Sequence, residues 1–166
     1  MIMGYPKRKP NRLVGYDYST PNAYFITVCT RQRKNLFWAN PEAVIQCPED
    51  VKLTRCGLYA RNAIAAISMH YPAIAVDHYV IMPNHIHLLL QICSDEKGQH
   101  ADAPELSTVI QQLKRVVTKQ AGFPVWQKDF YDHVIRGDID YRNTWNYIEG
   151  NPMKWAEDDL RDSSMR

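Results

Sequence analysis

Segments rich in β-branched and aromatic residues predict the strands of this chain. Residues 23–30 (AYFITVCT) form one such segment, and residues 74–82 and 86–92 form two more. The Pro-Asn dipeptide at 83–84 joins the last two segments and favours a tight turn. A fourth strand is indicated between residues 125 and 135. The pattern therefore predicts four strands, two of them closely joined.

Apolar residues that recur every three or four positions predict three helices. The first covers residues 53–69, after which a proline stops it. The second begins with a capping box formed by Asp102 and Glu105, and it ends at Gly122. The third covers residues 138–150, and an Asn-Pro dipeptide then breaks it. Each helix is thus bounded by residues that start or stop helices.

The order of these elements indicates the fold class. Strand, helix, strand, strand, helix, strand is the order of a ferredoxin-like or RRM-like α+β fold, an antiparallel sheet with helices packed on one face. The additional helix follows at the C-terminal end. We expect a single domain over residues 23–155, with a flexible basic arm at 1–22 and a short charged tail at 156–166. The open face of such a sheet is a common platform for single-stranded nucleic acid.

Composition and charge narrow the class of protein only slightly. With 45% hydrophobic and 23% charged residues the chain is typical of a folded protein, and a net charge of +2 does not establish a polyanionic partner. Basic residues nevertheless cluster in three places: Lys7, Arg8, Lys9 and Arg12; Arg31, Arg33 and Lys34; Lys114, Arg115 and Lys119. Such clusters can neutralise phosphates, although a solvated surface explains any one of them alone.

Cysteine usage and hydropathy bear on the compartment. The four cysteines lack CxxC spacing and are interpreted as free thiols in a reducing environment. The N-terminal residues lack the apolar stretch of a signal peptide, and no run of 18 apolar residues is present to span a membrane. We expect a cytoplasmic, nucleoid-associated protein that does not contact a membrane.

Two histidines on a predicted strand are the sharpest candidates for chemistry. His85 and His87 are two residues apart, so they point to the same face, whereas Ile86 points into the core. Two neutral imidazoles held in this way can share one metal ion. The alternative is that both are ordinary polar residues on the solvent side of the strand.

The final helix carries a second candidate pair. Tyr147 and Asn151 are four residues apart and therefore lie on one face of the helix. A tyrosine hydroxyl can attack a phosphodiester and remain attached, and an asparagine amide oxygen can complete a metal site. Because Asn151 lies between Gly150 and Pro152, a role in ending the helix explains it equally well.

A short polar segment precedes that helix. Arg136 can hold a phosphate by its planar guanidinium group. Asp132 and His133 are interpreted as a structural hydrogen-bonded pair.

Three segments of the chain resemble a known family. MPNHIHLLL (82–90), FYDHVIR (130–136) and YIEGNPMKW (147–155) are similar to the hallmark segments of the REP-associated tyrosine transposases, a branch of the single-tyrosine HUH enzymes. The resemblance extends from about Tyr24 to Trp155. Related proteins often continue into a longer aromatic tail, whereas only 11 residues follow Trp155 here, most of them charged or polar.

The resemblance implies roles for the four candidate residues. His85 and His87 would be the HUH pair, Tyr147 the nucleophile, and Asn151 its companion on the metal, where insertion-sequence relatives typically carry glutamine. The implied cofactor is a divalent ion, Mg²⁺ or Mn²⁺. The implied activity is cleavage and rejoining of single-stranded hairpin DNA through a 5′-phosphotyrosine.

The expected partner is therefore hairpin DNA, and whether the chain acts as a homodimer is left open. Six basic residues are candidates for DNA contacts: Arg31, Arg33, Lys114, Arg115, Lys119 and Arg136. One alternative is a non-catalytic RRM-like module that binds single-stranded nucleic acid. Another is a small zinc hydrolase that uses the two histidines with His133 or Asp132.

Overall fold

The computed structural model describes residues 13–93, 103–158 and 160–161. The strands of this part are β1 (Asn22–Cys29), β2 (Ile74–Ile81), β3 (His85–Ile92) and β4 (Tyr131–Val134). The α-helices are α1 (Arg55–Ala65), α2 (Ile67–His70), α3 (Leu106–Ala121) and α4 (Gly137–Gly150). Short 3₁₀ helices occupy Arg31–Arg33, Pro48–Asp50 and Pro152–Glu157.

The four strands form one antiparallel sheet in the order β2-β3-β1-β4. Strands β1 and β2 are connected through α1 and α2, and β3 and β4 through α3, as in a split βαβ fold. The predicted ferredoxin-like α+β class is confirmed. One row of paired residues crosses all four strands: Val80, His87, Thr27 and Tyr131.

One face of the sheet is the main hydrophobic core. Alternate residues of the two central strands are completely buried there: Tyr24, Ile26, Val28, Ile86, Leu88 and Leu90. Apolar residues of α1 and α3 belong to the same core, among them Ile64, Ile110 and Leu113. Burial of these side chains stabilises the fold through the hydrophobic effect.

The opposite face is covered only in part. Helix α4 packs on β2 and β3, and its Ile148 is buried together with Ala23, Leu89 and Ile135. Over β1 and β4 the face is more open, and Tyr131 is 48% exposed. The predicted open platform is therefore reduced to the β1–β4 half, because α4 occupies the other half.

Several predicted boundaries differ from the structure. The first helix is interrupted at Ala66, which separates α1 from α2. Of the strand predicted between residues 125 and 135, only Tyr131–Val134 is a regular strand. The carbonyls of residues 127–129 bind the ammonium group of Lys114 and are therefore not available for sheet pairing. Helix α3 ends at Gly122 as predicted, with a left-handed φ of 79°.

The predicted capping box of α3 is wrong, because the N-cap of this helix is Glu105 and not Asp102. Glu105 occupies the N-cap position, and its carboxylate accepts a hydrogen bond from Ser107 rather than from the cap backbone. Asp102, the other member of the predicted box, lies outside the described residues. Helix α3 therefore starts at Leu106.

The two predicted terminal segments also differ from the structure. Tyr18 is buried against Tyr24, so residues 13–22 do not form a free arm. The basic residues 7–12 lie outside the described residues. At the other end Trp155 is buried and the carbonyl of Leu160 accepts a hydrogen bond from Asn84. The described residues that follow Trp155, namely 156–158 and 160–161, therefore lie against the domain.

Within the described part of the chain, no helix combines the length and the apolar character that crossing a membrane requires.

Candidate active site

Helix α4 is attached to the sheet by two consecutive residues of β2. The pairing of β2 with β3 shifts register between Val76 and His78, which marks a β-bulge at Asp77. Asp77 accepts a 2.8 Å hydrogen bond from the hydroxyl of Tyr141, and His78 Nε2 lies 2.7 Å from a carboxylate oxygen of Glu149. In a regular strand these two neighbours would point to opposite faces, so the bulge is what lets both reach the helix.

This attachment directs Tyr147 to the face that carries the histidines. Ile148 is fully buried beneath α4, which sets the rotation of the helix. The Tyr147 ring then lies edge-to-face with His87, at 5.3 Å between ring centroids, and with Phe25 at 5.9 Å. Tyr147 is 49% exposed, so it borders both the histidines and solvent.

The two histidines converge as the strand spacing predicts. His85 Nε2 and His87 Nε2 are 3.1 Å apart. The prediction that they point away from the core face is confirmed by the pairing of His87 with Thr27 and of His85 with Cys29, since Ile86 lies in the core. The alternative of a solvent-facing pair is wrong, because His85 is completely buried and His87 is 2% exposed.

Hydrogen bonds to the outer ring nitrogens orient both imidazoles. Asn84 Nδ2 donates to the carbonyls of Arg33 and Leu160, which leaves its Oδ1 to accept from His85 Nδ1 at 2.8 Å. His85 therefore carries its proton on Nδ1 and presents the lone pair of Nε2. The hydroxyl of Thr27 lies 2.8 Å from His87 Nδ1 and can hold that ring in the same tautomer.

Burial also keeps both imidazoles uncharged. Desolvation lowers the pKa of His87 from 6.5 to about 3. The pKa of His85 is lowered well below 6.5, first by desolvation and then by unfavourable electrostatic interactions of a protonated His85 with His87 and Arg33. Neutral imidazoles are the form that binds metal ions.

Asn151 supplies a third polar atom on the same side. It is 5% exposed, and its Oδ1 is a buried oxygen for which the described residues provide no hydrogen-bond donor. Its backbone is right-handed helical (φ −62°, ψ −43°) at the C-cap of α4, so the left-handed capping conformation is not adopted. Helix capping therefore leaves the side chain unexplained.

Tyr147, Asn151 and His87 line one cavity of about 730 Å³. Its wall also includes Asp158, which sequence reasoning assigned to a separate charged tail. Asp158 Oδ2 lies 3.7 Å from His85 Nε2. Nothing in the local sequence signals this contact, because it depends on the chain turning back after Trp155.

This donor set fits a divalent ion. The amide oxygen is a candidate ligand for Mg²⁺ or Mn²⁺, whereas the two imidazole nitrogens accept Mn²⁺ more readily than Mg²⁺, and His87 with Asn151 borders the same cavity. Among the described residues no group of three or more His, Cys, Asp or Glu side chains is arranged to hold a metal. The zinc-hydrolase arrangement with His133 or Asp132 is accordingly absent from that part of the chain.

The predicted pair of Asp132 and His133 is not formed. His133 Nε2 instead lies 2.8 Å from Asp140 Oδ2, at the beginning of α4. Asp132 pairs with Ile26 across the sheet and thus lies on the core face, because neighbours in a strand point to opposite faces.

Lys114 does not serve as the predicted DNA contact. It is 7% exposed, and its ammonium group donates to the carbonyls of residues 127, 128 and 129 at 2.9–3.1 Å. Desolvation lowers its pKa. The helical spacing of Lys114 placed it among apolar residues of α3, and it acts there as an internal support for the chain before β4.

The other basic candidates lie at different distances from Tyr147. Arg31 and Arg33 are exposed, and the carbonyl of Arg33 contacts Asn84 beside His85. Arg136 precedes α4, about 16 Å along the helix axis from Tyr147. Arg115 and Lys119 are exposed residues of α3, which packs on the other face of the sheet.

Comparison with known proteins identifies relatives in sequence and in fold. No family model matches the chain. An uncharacterised protein of Haemophilus influenzae is 30% identical over 95% of this chain and 94% of its own length. The REP-associated tyrosine transposase of Escherichia coli is 27% identical over 57% of this chain and 53% of its own length. A solved REP-associated tyrosine transposase bound to a REP hairpin superimposes with a TM-score of 0.62 at 24% identity, covering 86% of this chain and 73% of that chain.

The fold and the site combine two features. A ferredoxin-like sheet carries His85 and His87 side by side on β3, and helix α4 places Tyr147 against His87. The chain is similar in sequence to REP-associated tyrosine transposases over 57% of its length, and it shares the fold of a solved member of that family.

Proposed function

We propose that this protein cleaves and rejoins single-stranded DNA through a covalent bond to Tyr147. The observation that carries the proposal is the position of Tyr147, half exposed at a cavity and in ring contact with one of two converging, neutral histidines. The proposed substrate class is hairpin DNA of the REP type, because the solved transposase with the same fold is bound to a REP hairpin.

His85, His87 and Asn151 would hold the divalent ion. When bound, Mg²⁺ or Mn²⁺ polarises the scissile phosphate and neutralises the charge that develops on it. Asn84 and Thr27 position the two imidazoles through their outer nitrogens.

The covalent step exchanges one phosphate ester for another. The Tyr147 oxygen forms a bond to phosphorus as its proton passes to solvent, and the bond from phosphorus to the 3′-oxygen breaks. The 3′-oxygen takes up a proton and leaves as a hydroxyl, and the 5′-phosphate stays on Tyr147. Attack by a 3′-hydroxyl on this ester reverses the step, so rejoining requires no external energy source.

The proposed nucleophile and the proposed metal ligands lie together within one chain. Tyr147 lies against His87 of its own chain, and Asn151 follows on the same helix. These contacts within one chain support a site that operates in cis.

Basic residues near the histidines would hold the DNA backbone. Arg31 and Arg33 lie at the end of the sheet where β3 begins, so they are the leading candidates. Arg136, Arg115 and Lys119 would contact parts of a hairpin that extend beyond the site.

Covalent trapping tests the proposed chemistry. The protein is incubated with labelled hairpin DNA and Mn²⁺, and a denaturing gel reveals any adduct, which peptide mapping should place on Tyr147. Tyr147→Phe should bind DNA normally and form no adduct. Tyr79→Phe is the matched control and should form adduct, since Tyr79 lies on β2 and does not line the cavity. If the parent forms no adduct, the chain is a non-catalytic binding module instead.

A further inference from the structure

The face of the sheet that carries His85 and His87 is called the site face. Its uncovered half, over β1 and β4, lies directly beside Tyr147. In the row of residues that crosses the sheet, Tyr131 of β4 pairs with Thr27, which in turn pairs with His87. Two strand spacings, about 10 Å, therefore separate the backbones of Tyr131 and His87. Strand β4 is the edge of the sheet, and α4 leaves this part of the face open.

Aromatic, amide and ammonium side chains lie together in this part of the site. Tyr131 is 48% exposed, and Phe25 lies diagonally from it on β1. Asn143 lies one helical turn before Tyr147 on α4, and Lys154 lies on the 3₁₀ helix that follows. The volume of about 730 Å³ is typical of pockets for small organic groups.

These residues match the parts of a nucleotide. Exposed aromatic rings stack with unstacked bases, as in other sheets that bind single strands. A side-chain amide such as that of Asn143 can both donate and accept hydrogen bonds at a base edge. The ammonium group of Lys154 provides a positive charge for a phosphate.

We propose that this cavity binds one unstacked nucleotide of the single strand, adjacent to the cleaved bond. Its base stacks on Tyr131, Asn143 contacts the base edge, and Lys154 contacts the neighbouring phosphate. The cavity thus selects where the strand is cut, because the phosphate next to the bound nucleotide is the one held at Tyr147. This inference rests on the proposed cleavage activity.

An abasic scan combined with truncation of Tyr131 tests the nucleotide site. Binding is measured by fluorescence anisotropy in the Tyr147→Phe background, with hairpin DNA whose single-stranded flank lacks one base at a time. At one position the loss of the base should weaken binding about 10-fold, in the range expected for one stacked base. With Tyr131→Ala added, the same missing base should have almost no further effect.

Control variants separate stacking from general damage. Tyr79→Ala removes a ring that is 37% exposed on β2, away from the cavity, and should leave the abasic profile unchanged. Tyr131→Phe keeps the ring and should restore most of the sensitivity lost in Tyr131→Ala. Lys154→Gln should flatten the plot of log affinity against log salt by about 0.7, the contribution of one phosphate on a single strand.

The outcomes distinguish this site from the cleavage chemistry. Equal losses from abasic substitution with and without Tyr131→Ala would overturn the nucleotide site, even if the parent forms its adduct normally. Coupling between one base and Tyr131 in a protein that never forms an adduct would support the nucleotide site and overturn the chemistry.

Discussion

The two faces of the sheet are built from the same strands but differ in what they bury. On one face, Ile86 and Leu88 of β3 pack into a continuous apolar core under α1 and α3. On the other face, His85 and His87 of the same strand are buried just as deeply, beside Thr27 and beneath the segment that carries Asp158.

The difference lies in how burial is compensated. Apolar side chains gain free energy when they leave water, whereas each buried imidazole needs a hydrogen bond for its polar atoms. Asn84 and Thr27 provide these bonds at the outer nitrogens and leave the inner nitrogens facing each other. The site face is therefore held in a state suited to a metal ion, and the core face provides the stability that this requires.

Substitutions on adjacent residues of β3 should separate stability from metal binding. Ile86→Ala should lower the free energy of unfolding by about 2–5 kcal/mol, because it leaves a cavity in the core. His87→Gln leaves a smaller cavity than an alanine would at this position, so its main effect should be to lower Mn²⁺ affinity by more than about 100-fold. Urea unfolding and calorimetric titration measure the two effects. Comparable metal affinity in parent and His87→Gln would remove His87 from the metal site.

Acid should destabilise the metal-free protein through the site face. The pKa of His87 is about 3 in the folded chain and 6.5 for a histidine exposed to water, so between these values the unfolded chain binds a proton that the folded chain does not. The free energy of unfolding should therefore fall as pH falls below 6.5, by about 2 kcal/mol at pH 5 for this residue. Urea unfolding with chelator at pH 7 and pH 5 measures the loss.

The control for this pH effect is the variant that lacks the imidazole. His87→Gln should lose about 2 kcal/mol less than the parent over the same interval. An identical pH dependence in both proteins would mean that His87 is accessible to protons in the folded state.

Lys114 supports the core side of the molecule, and its removal should have a smaller effect. Lys114→Met keeps most of the side-chain stem but removes the donor to three carbonyls, which should cost about 1–3 kcal/mol of unfolding free energy. Lys119→Met on the exposed side of the same helix should change stability by less than about 0.5 kcal/mol. Similar stability of the two variants would contradict the internal role of Lys114.

The smallest expected effect is on the salt dependence of DNA affinity, when basic residues near either face of the sheet are replaced. Replacing Arg31 and Arg33 with glutamine should flatten the salt dependence of DNA affinity by about 1.4, the contribution of two single-strand phosphates. The same change at Arg115 and Lys119 should flatten it less, because α3 packs on the face away from Tyr147. A larger effect from the α3 pair would indicate that the DNA lies along that helix.

Local patterns in the sequence predicted most of what regular geometry controls. Alternation along β3 placed His85 and His87 on one face, and helical spacing placed Tyr147 and Asn151 together. Lys114 shows the limit of such patterns. Its basic neighbours Arg115 and Lys119 are exposed, so nothing nearby in the sequence indicates that Lys114 is buried. The carbonyls that bind Lys114 belong to residues 13–15 positions further along the chain.

The sequence by itself determined the order of the elements, the α+β class and the four candidate residues, because each depends on spacings of two to four residues. Only the tertiary structure decided that the histidines are buried, that Asn84 and Thr27 orient them, and that Asp158 lies beside His85. The bulge that lets Asp77 and His78 both bond to α4 was likewise beyond any local pattern. Most of these features depend on contacts between residues 51 to 76 positions apart in the chain, such as Asn84 with Arg33 and Asn84 with Leu160, and such contacts form only when the elements pack.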